Sequence, residues 1–283
     1  HVDVLADEGA VAAGTFLAEV VAPSLGLLSR GDEALALFDT LEADLRAAGA
    51  IPALVVVLAA RAVQKHGTDL RHTIALDLEA IELADAIGQP ELGLHAAGSL
   101  AVAAAVVGDR SACHLAASHC AESPHGAHQL AGLCGRAVLH LGYGELDEAL
   151  CVYGELHERF GVGSHVVRWE PEWCEALVRA RRRDEAVEAL DELCGTPAAL
   201  LAYAGIERVR GLLAEDEGDA GVHFQNALGF YDLLPNDVAR GRTELLWGER
   251  LRRARRRAEA RVHLDAAVCL LKRVGADVWA QRA

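Results

Sequence analysis

Apolar residues recur along this chain at spacings of three and four, the period of an α-helix, and almost nowhere at the spacing of two that marks a strand. In RGDEALALFDTLEADLRAAG, residues 30–49, Ala34, Leu37, Phe38, Leu41 and Leu45 fall on one helical stripe. The same holds for residues 68–88, where Leu70, Ile74, Leu78, Ile81 and Ala84 share a face and Gly88 and Pro90 close the run. Proline stops one helix and is tolerated in the first turn of the next, so Pro52, Pro90, Pro124, Pro171, Pro197 and Pro235 punctuate the pattern. This patterning predicts about fourteen helices of roughly twelve to twenty residues. Very short turns make neighbouring helices antiparallel.

Four segments align as second helices of hairpins: ELDEALCVYGEL, RDEAVEALDEL, EGDAGVHFQNAL and RAEARVHLDAAV. Each carries a small residue where two helices must touch, at Ala149, Ala186, Ala220 and Ala260. A larger apolar residue follows four positions on (Tyr153, Leu190, Phe224, Leu264), then Leu156, Leu193, Ala227 and Ala267. The spacing resembles the tetratricopeptide repeat, a two-helix unit of about 34 residues. The last unit fits best, with Gly248 twelve residues before Ala260; the equivalent positions elsewhere are Ala137, Cys174 and Arg208, and the aromatic consensus positions are mostly missing. The expected fold is therefore all-α, tetratricopeptide-like helical hairpins stacked into a right-handed superhelix, because each pair buries its apolar face only against its neighbours. Residues 1–125 hold degenerate hairpins and 126–283 the more regular ones, as one continuous solenoid. An irregular helical bundle is the alternative.

Composition narrows the function. With 52% hydrophobic residues and a mean hydropathy of +0.16 the chain folds, and with 5% aromatics its core is mostly Ala, Leu and Val. A net charge of -15 repels polyanions, so direct nucleic-acid contact is not expected of this segment. The uncharged runs near 51–60 and 96–108 fall short of the ~18 residues of a membrane helix, and Asp3, Asp7 and Glu8 interrupt any secretory signal. Seven cysteines without a CxxC fit a reducing cytoplasm. The start at His1 and the lack of methionine point to a fragment of a longer chain.

Sites of chemistry are scarce. Lys65 and Lys272 are not in a Gly-Lys-Ser/Thr context, and GYGELD (142–147) and GVGSHV (161–166) lack the third glycine of a dinucleotide loop. Residues 113–140 hold five histidines and three cysteines, but His114 and His119 lie on different helix faces and His125 and His128 follow Pro124 in the inter-helix turn. Helix-packing cysteines and turn histidines are the plainer reading, and neither a metal nor another cofactor is expected. Trp169 and Trp173, one turn apart, fit a core or a ligand groove.

Residues 239–283 resemble one family more closely: the last repeat of the large ATP-binding regulators of the LuxR type, the MalT-like transcriptional activators. The resemblance rests on Gly248 to Arg253, the turn at Arg255 to Arg257, the Ala-rich helix from Ala258 to Leu271, the Gly275–Ala276 turn and Trp279. Such regulators join a P-loop ATPase, a helical-repeat sensor and a helix-turn-helix domain, and this chain would be the sensor. The resemblance implies a cytoplasmic, non-enzymatic domain that binds a small inducer or a regulatory protein, with self-association when switched. The alternative is a free-standing scaffold that binds a peptide or protein in its concave groove. Alignment to the repeat places Glu175, Val178, Val209, Leu212, Glu249 and Arg252 on that concave face, and Trp173 joins them as a groove candidate. Seven arginines between Arg250 and Arg261 read as the end of a first helix and its turn, not as a DNA-binding stripe.

Overall fold

A computed structural model describes residues 31–163, 168–200 and 202–283. The readings that fall on residues 1–30, including the interrupted secretory signal, and the end of GVGSHV lie outside the described residues. Everything described is helix or turn, with no strand among the described residues. Fourteen α-helices occur there, three of them shorter than twelve residues. The chain divides into two compact units, residues 1–103 with 111–132, and 104–110 with 133–283.

The first unit contains α1 (Gly31–Ala48), α2 (Ile51–Lys65), α3 (Leu70–Ala86) and a 3₁₀ turn at Pro90–Gly93. It also takes in most of α4 (Leu94–Val107) and α5 (Arg110–Ala121), and the start of α6 (Gly126–Tyr143). Pro52 sits in the first turn of α2, where its missing N–H costs nothing, and the Asp69 carboxylate caps α3 by accepting from the His72 amide at 3.1 Å. Leu54, Val55, Leu58, Leu76, Ala80 and Ala84 interlock between α2 and α3 as the main core. Small residues let helix axes close in: a Cβ on Gly132 would stand 2.8 Å from that of Cys120 and 3.2 Å from the Ala117 carbonyl. The stretch Pro90–Val107 is longer than its uncharged portion suggested. It meets the length and apolarity of a membrane span, yet 61% of it is buried inside the protein. Its alanines are core.

The second unit holds α7 (Leu146–Phe160), α8 (Glu170–Arg179), α9 (Arg183–Cys194), α10 (Tyr203–Leu213) and α11 (Glu217–Leu233). It ends with α12 (Asp237–Arg253), α13 (Arg257–Val274) and the short α14 (Asp277–Ala280). Within hairpins α8 packs on α9, α10 on α11 and α12 on α13, and the first helices also touch in order, α8 to α10 to α12. That is the contact pattern of hairpins laid side by side. The four anchor alanines are buried, as are Tyr153, Phe224, Leu156, Leu193, Ala227 and Ala267. Gly248 and Ala260 form the close approach read from the sequence, since a Cβ on Gly248 would meet Leu264 at 2.7 Å and the Ala260 carbonyl at 3.2 Å. The preceding hairpin solves the same problem differently. Its expected small position is Arg208, buried in an ion network, and the close contact moves to Gly211, where a Cβ would stand 3.0 Å from the ring of Phe224. Asp216 and Asn236 cap α11 and α12 through side-chain oxygens, each of which satisfies amides that a helix start leaves unpaired.

Candidate functional site

The C-terminal ends of α8, α10 and α12 line one side of a cavity of about 630 Å³ in the second unit. Val178, Leu212 and Leu246 give it an apolar wall, one residue from each first helix. Leu146 and Ala254 add to it, and the other lining residues are charged, with Arg179, Arg181, Arg250, Arg253 and Arg282 against Glu217 and Glu249. Five cations and two anions make this a positive pocket in a chain of net charge -15.

Three of the five arginines are spoken for. Arg250 uses all five N–H groups: Nε donates to Glu217 at 2.9 Å, Nη1 to the carbonyls of Gly211 and Leu212, and Nη2 to those of Ala214 and Asp216. It therefore closes the end of α10, where helix carbonyls lack partners and the helix dipole favours a cation. Arg179 does the same for α6, donating to the Leu141 carbonyl at 3.0 Å. Arg282 donates from Nη2 to both oxygens of Glu249, at 3.1 and 3.2 Å. Arg181 and Arg253 are exposed and form no salt bridge among the described residues.

Inward from Arg179 the charges continue as a buried network. Glu175, fully buried, accepts from Arg242 Nη2 at 2.6 Å and faces Arg179 at 3.5 Å. Glu172 accepts from Arg208 at 2.7 Å and from Arg242 at 2.8 Å through the same oxygen. Burial by itself would raise the Glu175 carboxyl, but Arg242, Arg208, Arg179 and Arg282 hold it down at about 2. The Arg242 guanidinium also lies over the ring of Trp279, 4.3 Å from its centre. This network ties α8, α10, α12 and α14 together and fixes the wall behind the cavity.

The structure sorts the groove residues named from sequence. Val178, Leu212 and Glu249 line the cavity together. Glu175 and Val209 have no exposed surface: the first belongs to the ion network and the second to the core. Arg252 is exposed and is not part of the cavity lining. Trp173 is half-buried between Trp169 and His157, with ring centres 5.7 and 4.9 Å away, and is likewise outside the cavity lining. Sequence reading missed Arg179, Arg181, Arg253 and Arg282 as wall residues, and the one available signal was their excess over acids near the hairpin turns.

Two other clusters of titratable side chains lie in the first unit and the histidine-rich stretch. In the first unit His66 Nε2 lies 3.0 Å from the Ser99 carbonyl and 3.1 Å from Ser99 Oγ, which donates to Asp77 at 2.8 Å. Burial lowers the His66 imidazole to about 4 and raises the Asp77 carboxyl well above its ordinary range. The serine proton points to Asp77 and the imidazole N–H to the carbonyl, so the ring does not take a proton from the hydroxyl. The group is a packing relay across α2, α3 and α4. In the histidine-rich stretch Cys120 is buried, its thiol pushed up to about 11 by burial, and His125 in the turn meets His128 edge to face; His128, expected in the turn, lies at the start of α6. No three metal-ligating side chains gather anywhere among the described residues. No protein-family model, no curated protein and no solved structure matches this chain.

Proposed function

We propose that this chain is the effector-sensing domain of a LuxR-type transcriptional regulator, a non-enzymatic module controlling an ATPase and a DNA-binding domain outside it. The observation that carries the reading is the cavity where α8, α10 and α12 converge, because it collects one wall residue from each of three successive hairpins. A ligand seated there contacts all three at once, so it favours one relative setting of the hairpins over another. That differential contact is what a switch requires. The resemblance of residues 239–283 to the last sensor repeat of that family supports the regulatory assignment, as does hairpin-on-hairpin packing compatible with a tetratricopeptide-like superhelix.

The test has two parts. The gene around this segment should encode a P-loop ATPase upstream and a helix-turn-helix within about fifty residues downstream; a frame lacking both sinks the regulator reading and leaves a free-standing scaffold. A thermal-shift screen of sugars, acyl metabolites and peptides should find a ligand that raises the melting temperature, since a compound bound only to the folded state stabilises it.

A further inference from the structure

Seven helices in the described chain end in the same turn. One or two residues past the helix a residue has positive φ, its N–H reaches back three or four residues, and the next N–H reaches back five. This is the helix stop in which glycine is preferred, because any side chain there crowds the backbone. Five of the seven obey: Gly49, Gly88, Gly108, Gly144 and Gly275. The other two are Arg181 and Arg255, both at φ 62°. Arginine in this conformation is strained, and backbone strain persists where another requirement outweighs it.

One exception lines the cavity and the other lies next to residues that do. Arg181 lines it, and Arg255 follows directly on Arg253 and Ala254, which also line it. Arg179, Arg250 and Arg282 are already bonded to carbonyls or glutamates, and Glu217 and Glu249 are paired with Arg250 and Arg282. The uncommitted charge of the cavity is thus that of Arg181 and Arg253, from the ends of two different first helices. Exposed guanidiniums with no partner ordinarily gain by taking one, and their fork geometry matches phosphate and carboxylate oxygens. Behind them the Val178, Leu212 and Leu246 wall offers apolar contact for a ligand body, in a volume typical of small-molecule sites.

We infer that this cavity binds a small organic polyanion, a phosphorylated or polycarboxylate metabolite gripped at its two ends by Arg181 and Arg253. The inference rests on the effector-site reading above and names the chemical class of the effector. Long nucleic acid is disfavoured as the occupant by the chain's charge of -15.

The test is isothermal titration of the 283-residue chain at low salt with fructose 1,6-bisphosphate, with citrate, and with fructose as the uncharged control. Binding of either anion but not of fructose is expected, and which of them binds tells phosphate from carboxylate. Arg181→Gly is the decisive variant: glycine suits the turn better, so it should melt no lower than the parent while affinity falls about tenfold or more. Arg253→Gln should lose affinity similarly. The inference is overturned if neither anion binds, if both variants bind as tightly as the parent, or if a labelled DNA duplex binds through Arg181 and Arg253 and the small anions do not. An uncharged effector with no anion bound would overturn it and keep the sensing reading. Flanking sequence without ATPase and helix-turn-helix domains would do the reverse.

Discussion

Replacing Glu175 by glutamine tests whether the buried ion network holds the second unit together. The native carboxylate is fully buried, and against that burial the surrounding arginines, Arg242 first, hold it down at about 2, below the 4.5 of an ordinary glutamate. A depressed carboxyl gives stability that is complete above its unfolded pKa and is lost as pH falls through the folded one. The 2.5-unit gap corresponds to roughly 3 kcal/mol at neutral pH, at 1.36 kcal/mol per unit. An independent route gives a similar size: removing one partner of a buried, bonded ion pair costs about 3–5 kcal/mol, because the other is left with an uncompensated charge. Here that other partner is Arg242, which keeps only Glu172. Glu175→Gln should therefore lower stability by about 3 kcal/mol at pH 7, and the gap should shrink to about 1.4 kcal/mol near pH 3, where the unfolded chain's carboxyl is protonated while the native one is still mostly ionised. The assay is urea unfolding followed by tryptophan fluorescence, which reports this unit because Trp169, Trp173, Trp247 and Trp279 all lie in it. A gap that is equal at the two pH values, or absent at pH 7, refutes the reasoning.

Two further outcomes follow from packing and burial. Gly248→Ala gains about 1 kcal/mol of helix propensity but drives a Cβ to 2.7 Å from Leu264, so a net loss of about 1–2 kcal/mol is expected; Gly229→Ala, which meets nothing within 4 Å, should instead gain up to about 1 kcal/mol, both read by thermal melting. His66 sits at about 4, below the ordinary 6.5, so its folded form resists protonation and stability falls as pH drops from about 6.5 to about 4. The loss approaches 3 kcal/mol at most, is visible by circular dichroism because the first unit has no tryptophan, and should be largely missing in His66→Gln.

The helix pattern, the hairpin anchors and the Gly248–Ala260 contact were legible in the sequence because they are local. A period of 3.6 and a small residue at a crossing point reveal themselves within one or two helices. Three residues named from register alone, Val178, Leu212 and Glu249, line the cavity, since a helix face repeats with the hairpin. Glu175 and Val209 share that register, yet the structure buries both, because whether a face meets solvent depends on how closely the next hairpin sits. The ion network was invisible for the same reason. Glu175 and Arg242 are 67 residues apart, and no local pattern says which side chain will meet which. The arginine-rich turn shows both limits at once. Its sequence announced a helix end; only tertiary structure divided its cations into Arg250, which closes a neighbouring helix, and Arg253, which is left facing an open cavity. Period and size are properties of the chain, whereas pairing and exposure are properties of the packed whole.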